Sequence, residues 1–236
     1  MAAAIQGARE RARVELTREI KAEARRQLAE DGTQLSLRAV SRALGMASSA
    51  VYRYFPSRDD LLTALILDAY ADLAEHAEAA VAAAGPAPRP RWRAACHAVR
   101  DWARAKPHEY ALLYGTPVPG YHAPAETIPA AARMPLTLVG VVRSAADRLA
   151  PAAPPARPPG PLDSQLSLLA QEFAPELPAP VLARAVMAWT QLFGMVSFEL
   201  FGHLNGTIDP ADDFFAYAVE ELADNLGLPQ GSSEHC

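Results

Sequence analysis

Apolar residues return along this chain at intervals of three and four, and β-branched runs with period-two alternation are missing. Ala, Leu, Arg and Glu, all good helix formers, dominate, so the pattern predicts an all-α protein. In a first helix over 5–30, Ile20, Ala24 and Leu28 form one apolar stripe, with Arg18, Lys21, Arg25 and Arg26 facing out. Asp31-Gly32 ends it. Ser36 is placed to cap a second, short helix, flanked by Leu35 and Val40 as a hydrophobic staple. That helix stops at Gly45, Met46-Ala47 makes a turn, and 48–54 reads as a third short helix. Ser57 and Asp60 form a capping box opening a long fourth helix over 58–84, whose Leu61, Leu65, Ala69 and Leu73 point inward.

Beyond Gly85-Pro86-Ala87-Pro88-Arg89-Pro90, further helices are predicted at 91–105, 108–114, 128–149, 162–173, 180–204 and 210–226. Six prolines within 151–161 predict an extended, disordered linker, and the tail from Pro229 is expected to fray.

Composition bounds the class. Of 236 residues, 50% are hydrophobic and 21% charged, enough for a buried core in one or two domains and against a disordered chain. Cys96 and Cys236 cannot build a disulfide framework, and no signal-peptide run opens the chain, so a cytoplasmic location is expected. Arg, Asp or Pro interrupts each apolar stretch before the roughly 18 residues of a membrane span, so no membrane partner is expected. The net charge of -5 divides unevenly: residues 1–58 hold 11 Lys+Arg against 6 Asp+Glu, while 59–236 hold 11 against 21. A basic head on an acidic body directs any polyanion to the head.

Two short helices joined by a turn with Gly have the dimensions of a helix-turn-helix, whose second helix enters the DNA major groove. Gly45 suits that turn, and Ala39, Val40, Leu44, Val51 and Phe55 are spaced to pack the helices together. The string formed by Gly45, Tyr52, Arg53, Phe55, Pro56, Ser57, Arg58 and Leu61 closely resembles the N-terminal domain of TetR-family transcriptional regulators, over about residues 14–66. The resemblance implies a three-helix DNA-binding head, a connecting helix, a ligand-sensing body, and a homodimer reading a palindromic operator on double-stranded DNA. The corresponding domains are 1–57 for the head, 58–84 for the connecting helix, 85–228 for ligand binding and dimerisation, and 229–236 for a flexible tail.

Tyr52, Tyr54 and Arg58 match the family's phosphate-contacting positions; hydroxyls and a guanidinium at helix ends suit that task. Tyr54 stands where the family often has histidine. Arg38 is long enough to reach a guanine edge, Ser48, Ser49 and Ala50 line the leading turn of the recognition helix, and Arg53 adds charge beside it. Alternatives stand beside these roles: Tyr52 or Phe55 as core aromatics, Arg38 and Arg42 as a solvated face. Ala47 replaces the serine usual at the recognition-helix cap, so either Ser48 caps in its stead or the helix starts more loosely.

Residues 106–114 and 188–194 are similar to the C-terminal domain type named for a Trp-His-Gly signature, with Phe193 where the signature has histidine. Trp102, Tyr110, Trp189, Phe193 and Phe198 are candidate walls of an apolar effector pocket, or plain core. The helices near 180–204 and 210–226 carry apolar surface suited to a dimer seam, unless they pack wholly within one chain.

Cys96-His97 and His235-Cys236 lack a second pair at zinc-like spacing, and no phosphate loop or nucleophile elbow occurs. Neither catalytic residues, a metal nor a cofactor is expected. The reading is a ligand-responsive DNA-binding regulator, a repressor; its rivals are a helical enzyme with a basic head and a helical protein-binding adaptor.

Overall fold

The computed structural model describes residues 2–31, 35–149 and 159–230, with side chains over 6–30, 35–149 and 159–230. Among these it holds helices and turns and no strand. Segments 150–158 and 231–236 lie outside the described residues, and with them most of the predicted linker and tail.

The helices are α1 (Ala2–Asp31), α2 (Leu37–Ala43), α3 (Ser48–Val51), α4 (Arg58–Ala83), α5 (Pro88–Ala105), α6 (Pro107–Tyr114), α7 (Thr127–Arg143), α8 (Gly160–Phe173), α9 (Ala179–Leu200) and α10 (Asp212–Leu226). Several boundaries differ from the periodicity, each for a local reason. Helix α5 begins three residues early because Pro88 and Pro90 both fall in its first turn, where a missing N–H costs nothing. Pro161 occupies the first turn of α8 in the same way, so 160–161 is helix and not linker. Helix α7 ends at Arg143 rather than 149: the Ser144 hydroxyl donates to the Val141 carbonyl at 2.6 Å, and a 3-10 turn follows at Ala146–Arg148. Helix α9 ends at Leu200, four residues before the expected point, because Gly202 turns left-handed (φ 78°) and lets the His203 N–H donate to the Phe198 carbonyl at 2.9 Å.

Contacts gather the chain into two compact units: Met1–Ala69 with Lys106–Ala130, and Tyr70–Ala105 with Ala131–Cys236. In the first, the predicted stripe of α1 (Ile20, Ala24, Leu28) buries against Val40 of α2, Val51 of α3, Phe55, and Leu61, Leu62 and Leu65 of α4. Each Val, Leu, Ile or Phe side chain among them contributes about 1.5–3 kcal/mol on burial. Val118, Leu112 and Tyr121 join this core. The hydroxyls of Tyr121 and Thr63 lie 3.0 Å apart. Asp68 of α4 accepts from Lys21 and Arg25 of α1, at 2.6 and 2.7 Å. Arg25 also lies 3.6 Å from Glu109 of α6.

In the second unit, a row of arginines on α5 meets acids of α9 and α10. Arg89, buried, donates to Glu220 at 3.0 Å, to Asp224, and to the Leu228 carbonyl at 2.8 Å. Arg93 also donates to Glu220. Arg100, buried, grips Glu199 with two bonds of 2.7 Å, reaches Asp212 at 2.9 Å and sits 4.8 Å over the Phe215 ring. Trp92 donates its indole N–H to the Val219 carbonyl at 3.0 Å. Helix α8 packs on α9 through Leu166, Ala170 and Leu182. Helix α9 is long and apolar enough, by length and composition alone, to cross a membrane. Its packing against α5, α8 and α10, together with the Glu199–Arg100 pair, makes it the core helix of this unit.

Hydrogen bonding by Arg93 holds the Glu220 carboxyl below its ordinary pKa, and Arg100 does the same to Asp212. A depressed folded pKa means stability that is present above the unfolded value and is lost as pH falls through the folded one. The melting temperature is therefore expected to drop on acidification below about pH 4.5, the ordinary carboxylate range. In a Glu220→Gln/Asp212→Asn variant the midpoint at neutral pH should be lower and its acid dependence shallower. An acid limb identical to that of the wild type would mean that these two pairs do not set it.

Candidate nucleic-acid interface

The turn between α2 and α3 is closed by backbone geometry. Gly45 adopts φ 64°, its N–H donates to the Arg42 carbonyl at 3.1 Å, and the Met46 N–H reaches back to the Ser41 carbonyl at 2.8 Å. A Cβ at Gly45 would meet nothing within 4 Å, so the demand for glycine is conformational rather than steric. Ser36 caps α2 as expected, accepting from the Ala39 N–H at 3.4 Å. Ser57 accepts from the Asp60 N–H at 3.1 Å and donates its own hydroxyl to the Asp60 carboxylate at 2.7 Å, so Asp60 reaches the cap's side chain instead of its backbone.

The cap of α3 resolves in one direction. Ala47 is the N-cap, with no side-chain bond, and Ser48 does not replace it. The Ser48 hydroxyl instead lies 3.1 Å from that of Ser41. Since Ser41 donates its proton to the Arg38 carbonyl at 2.9 Å, Ser48 must be the donor in that pair. Helix α3 has four residues, and the chain goes on in tight turns, with the Tyr54 and Phe55 N–H groups both on the Val51 carbonyl.

Around this frame the predicted DNA residues divide by burial. Arg38, Ser48, Ser49, Tyr52 and Arg53 are exposed; Ala50, Tyr54 and Arg58 are half-buried, and Tyr54 packs on the core. Tyr52 is 42% exposed and Phe55 7%, which makes Phe55 the core aromatic of the pair. Leu35, Ser36, Leu37, Arg38, Tyr52 and Arg58 line one recess of about 260 Å³. Arg58 also donates through Nε to the Leu35 carbonyl at 3.2 Å, tying the start of α4 to the entry of α2. Ser36 belongs to this recess although its sequence signal pointed only to capping.

The expected effector residues are not gathered in one place. Trp102 is buried and donates its indole N–H to Asp72. Tyr110 is fully buried in the first unit, its ring 5.2 Å from that of Tyr114. Trp189 and Phe193 do meet, edge to face at 6.4 Å. Phe198 is 56% exposed beside His203. Trp189 forms a wall of an apolar groove of about 200 Å³ between α7, α8 and α9. Its other walls, among them Leu136, Leu169 and Phe173, carried no separate signal in the sequence beyond a surplus of apolar residues on α8.

Two domain families match the chain: residues 20–65 match "Bacterial regulatory proteins, tetR family", and residues 92–222 match "Tetracyclin repressor-like, C-terminal domain". The HTH-type transcriptional regulators Rv1816 of Mycobacterium tuberculosis and Mb1846 of Mycobacterium bovis are each 38% identical over 206 residues, covering 83% of this chain and 85% of theirs. The crystal structure of SCO4313 superposes with a TM-score of 0.77 at 35% identity, covering 91% of this chain and 98% of that one. A Rhodococcus sp. RHA1 protein of unknown function superposes at 0.68 with 25% identity, covering 90% and 95%. With a helix-turn-helix presenting exposed cations at one end of an all-helical chain, and these matches spanning most of its length, the protein belongs to the TetR family of DNA-binding transcriptional regulators.

Proposed function

We propose that the protein is a homodimeric repressor, acting in the cytoplasm, that leaves a palindromic operator when a small apolar or amphipathic effector binds its body. The observation that carries the DNA half is the recess where Ser36, Arg38, Tyr52 and Arg58 converge, which suits a backbone phosphate beside the major groove. Tyr52, Tyr54, Arg53 and Arg58 take phosphates in this reading, and Arg38 a guanine edge. Ser48, its proton directed to Ser41, is left as an acceptor for an exocyclic base amine; Ser49 and Ala50 complete the leading turn.

The test is a gel shift with DNA flanking the coding region. Tyr52→Ala and Arg58→Ala should weaken all sequences about uniformly, and loss of the Arg58 charge should lower the salt slope by about one. Arg38→Ala should instead relax specificity at one position, by about 1–3 kcal/mol. Duplex binding unaffected by all three changes would reject the interface.

For the dimer, the apolar surplus of α9 and α10 is narrower than the sequence suggested. Leu192, Val196, Phe215, Ala218 and Leu222 are buried within the chain itself. What stays exposed is Met187, Thr190, Gln191 and Phe198 along α9, Phe201 at its C-cap, and Tyr217 on α10. Met187, Gln191, Phe198 and Phe201 follow at intervals of four, seven and three, the spacing of a helix–helix seam, and support a two-fold contact there. Effector binding would act by favouring a dimer geometry, set through α4, in which the two heads no longer match successive major grooves.

A further inference from the structure

We infer that the groove between α7, α8 and α9 is a site for a small, neutral, apolar molecule; this rests on the effector-binding reading above and names the effector's chemical class. Its volume of about 200 Å³ falls below the roughly 300–1,000 Å³ of drug-sized sites, which limits the occupant to a small molecule. Among the described residues, no charged side chain lines it. A carboxylate or ammonium entering the groove would lose its hydration with no counter-charge to meet it. Leu136, Leu169 and Phe173 keep 38%, 44% and 36% of their surface exposed at this place, apolar area that an apolar ligand would cover. The indole N–H of Trp189 is buried and has no acceptor among the described residues. That nitrogen is closed to solvent, so an occupant of the groove meets Trp189 through apolar contact.

A second copy of the chain is not the fitting occupant. The groove residues Leu182, Val186 and Trp189 and the outer residues Met187, Gln191 and Phe198 face roughly 150° apart around α9, at about 100° per residue. A dimer formed on the outer face leaves the groove open. The same geometry makes α9 the element through which occupancy of the groove reaches the seam.

The probe is 6-propionyl-2-(dimethylamino)naphthalene, a neutral fluorophore with one carbonyl acceptor whose emission shifts with polarity, titrated into the full-length protein. Saturable, blue-shifted binding is expected. Leu169→Arg should abolish it, while Leu168→Arg, at the adjacent position that is 66% exposed and outside the groove, should leave it intact. 2-Decanone should displace the probe, and decanoate should not. Equal binding by Leu169→Arg and wild type, or displacement by decanoate as good as by the ketone, overturns the assignment. Operator affinity measured in the same samples separates the two readings. Groove binding that leaves operator affinity unchanged would support the site and reject effector release; intact operator binding without probe binding would reject the site alone.

Discussion

Glu199→Ala is expected to destabilise the protein by about 3–5 kcal/mol, because it strands a buried guanidinium. The Arg100 side chain is 5% exposed and has its two shortest bonds to Glu199, whereas its second partner, Asp212, is 59% exposed and shared with Arg104. Asp212 alone, half in water, cannot offset the desolvation of Arg100. Arg100→Met keeps an aliphatic stem, gives up the guanidinium over the Phe215 ring and releases the acids toward solvent, so its cost should be smaller, roughly 1–2 kcal/mol. For a chain of this size the Glu199 change corresponds to a fall of roughly 6–20 °C in the melting midpoint. Thermal and urea unfolding of both variants checks the order. If Arg100→Met proves the costlier change, the pair is valuable for its hydrogen bonds and packing, and the buried charge is not the governing factor.

Met187→Glu combined with Phe198→Glu should leave the monomer folded and separate the dimer, lowering operator affinity about 100-fold or more. Both side chains are already in solvent, at 60% and 56% exposure, so carboxylates there disturb no core. Across a two-fold axis the same charges meet their own copies, and like charges at a desolvated seam are strongly unfavourable. Each head alone reads one half-site. Linking two heads raises avidity by about 10²–10⁴, and that factor is what monomerisation removes. Sedimentation and gel shift on the same preparation are the measurements. A double variant that still sediments as a dimer would place the seam elsewhere.

Much of the head is legible in the sequence because its signals are local. The stripes of α1 and α4, the Ser36 cap, the positive-φ turn at Gly45 and the burial of Phe55 all follow from spacing within a few residues, and all appear in the structure. Helix ends are less legible. The turn at Gly202 and the Ser144 bond depend on backbone geometry that periodicity does not carry, and the prolines that open α5 and α8 look like breaks in the sequence but are helix starts. The body is harder still. Trp102, Tyr110, Trp189, Phe193 and Phe198 look alike as aromatics at helical spacing, yet one anchors on Asp72, one sits in the first unit, two meet edge to face with only Trp189 on the groove, and one faces solvent.

The sequence by itself determined the all-helical class, the helix-turn-helix and the confinement of net positive charge to the head, since helix period, capping, turn chemistry and charge are properties of neighbouring residues. Tertiary structure alone decided that 106–130 packs with the DNA-binding helices, that Ser48 bonds Ser41 instead of capping α3, that α5 locks to α10 through Arg89 and Arg100, and which face of α9 stays bare. Those outcomes depend on which of many equally amphipathic helices meet. The choice is made by complementary shape and charge between residues up to about 140 positions apart, such as Arg89 and Leu228, and no short-range pattern records it.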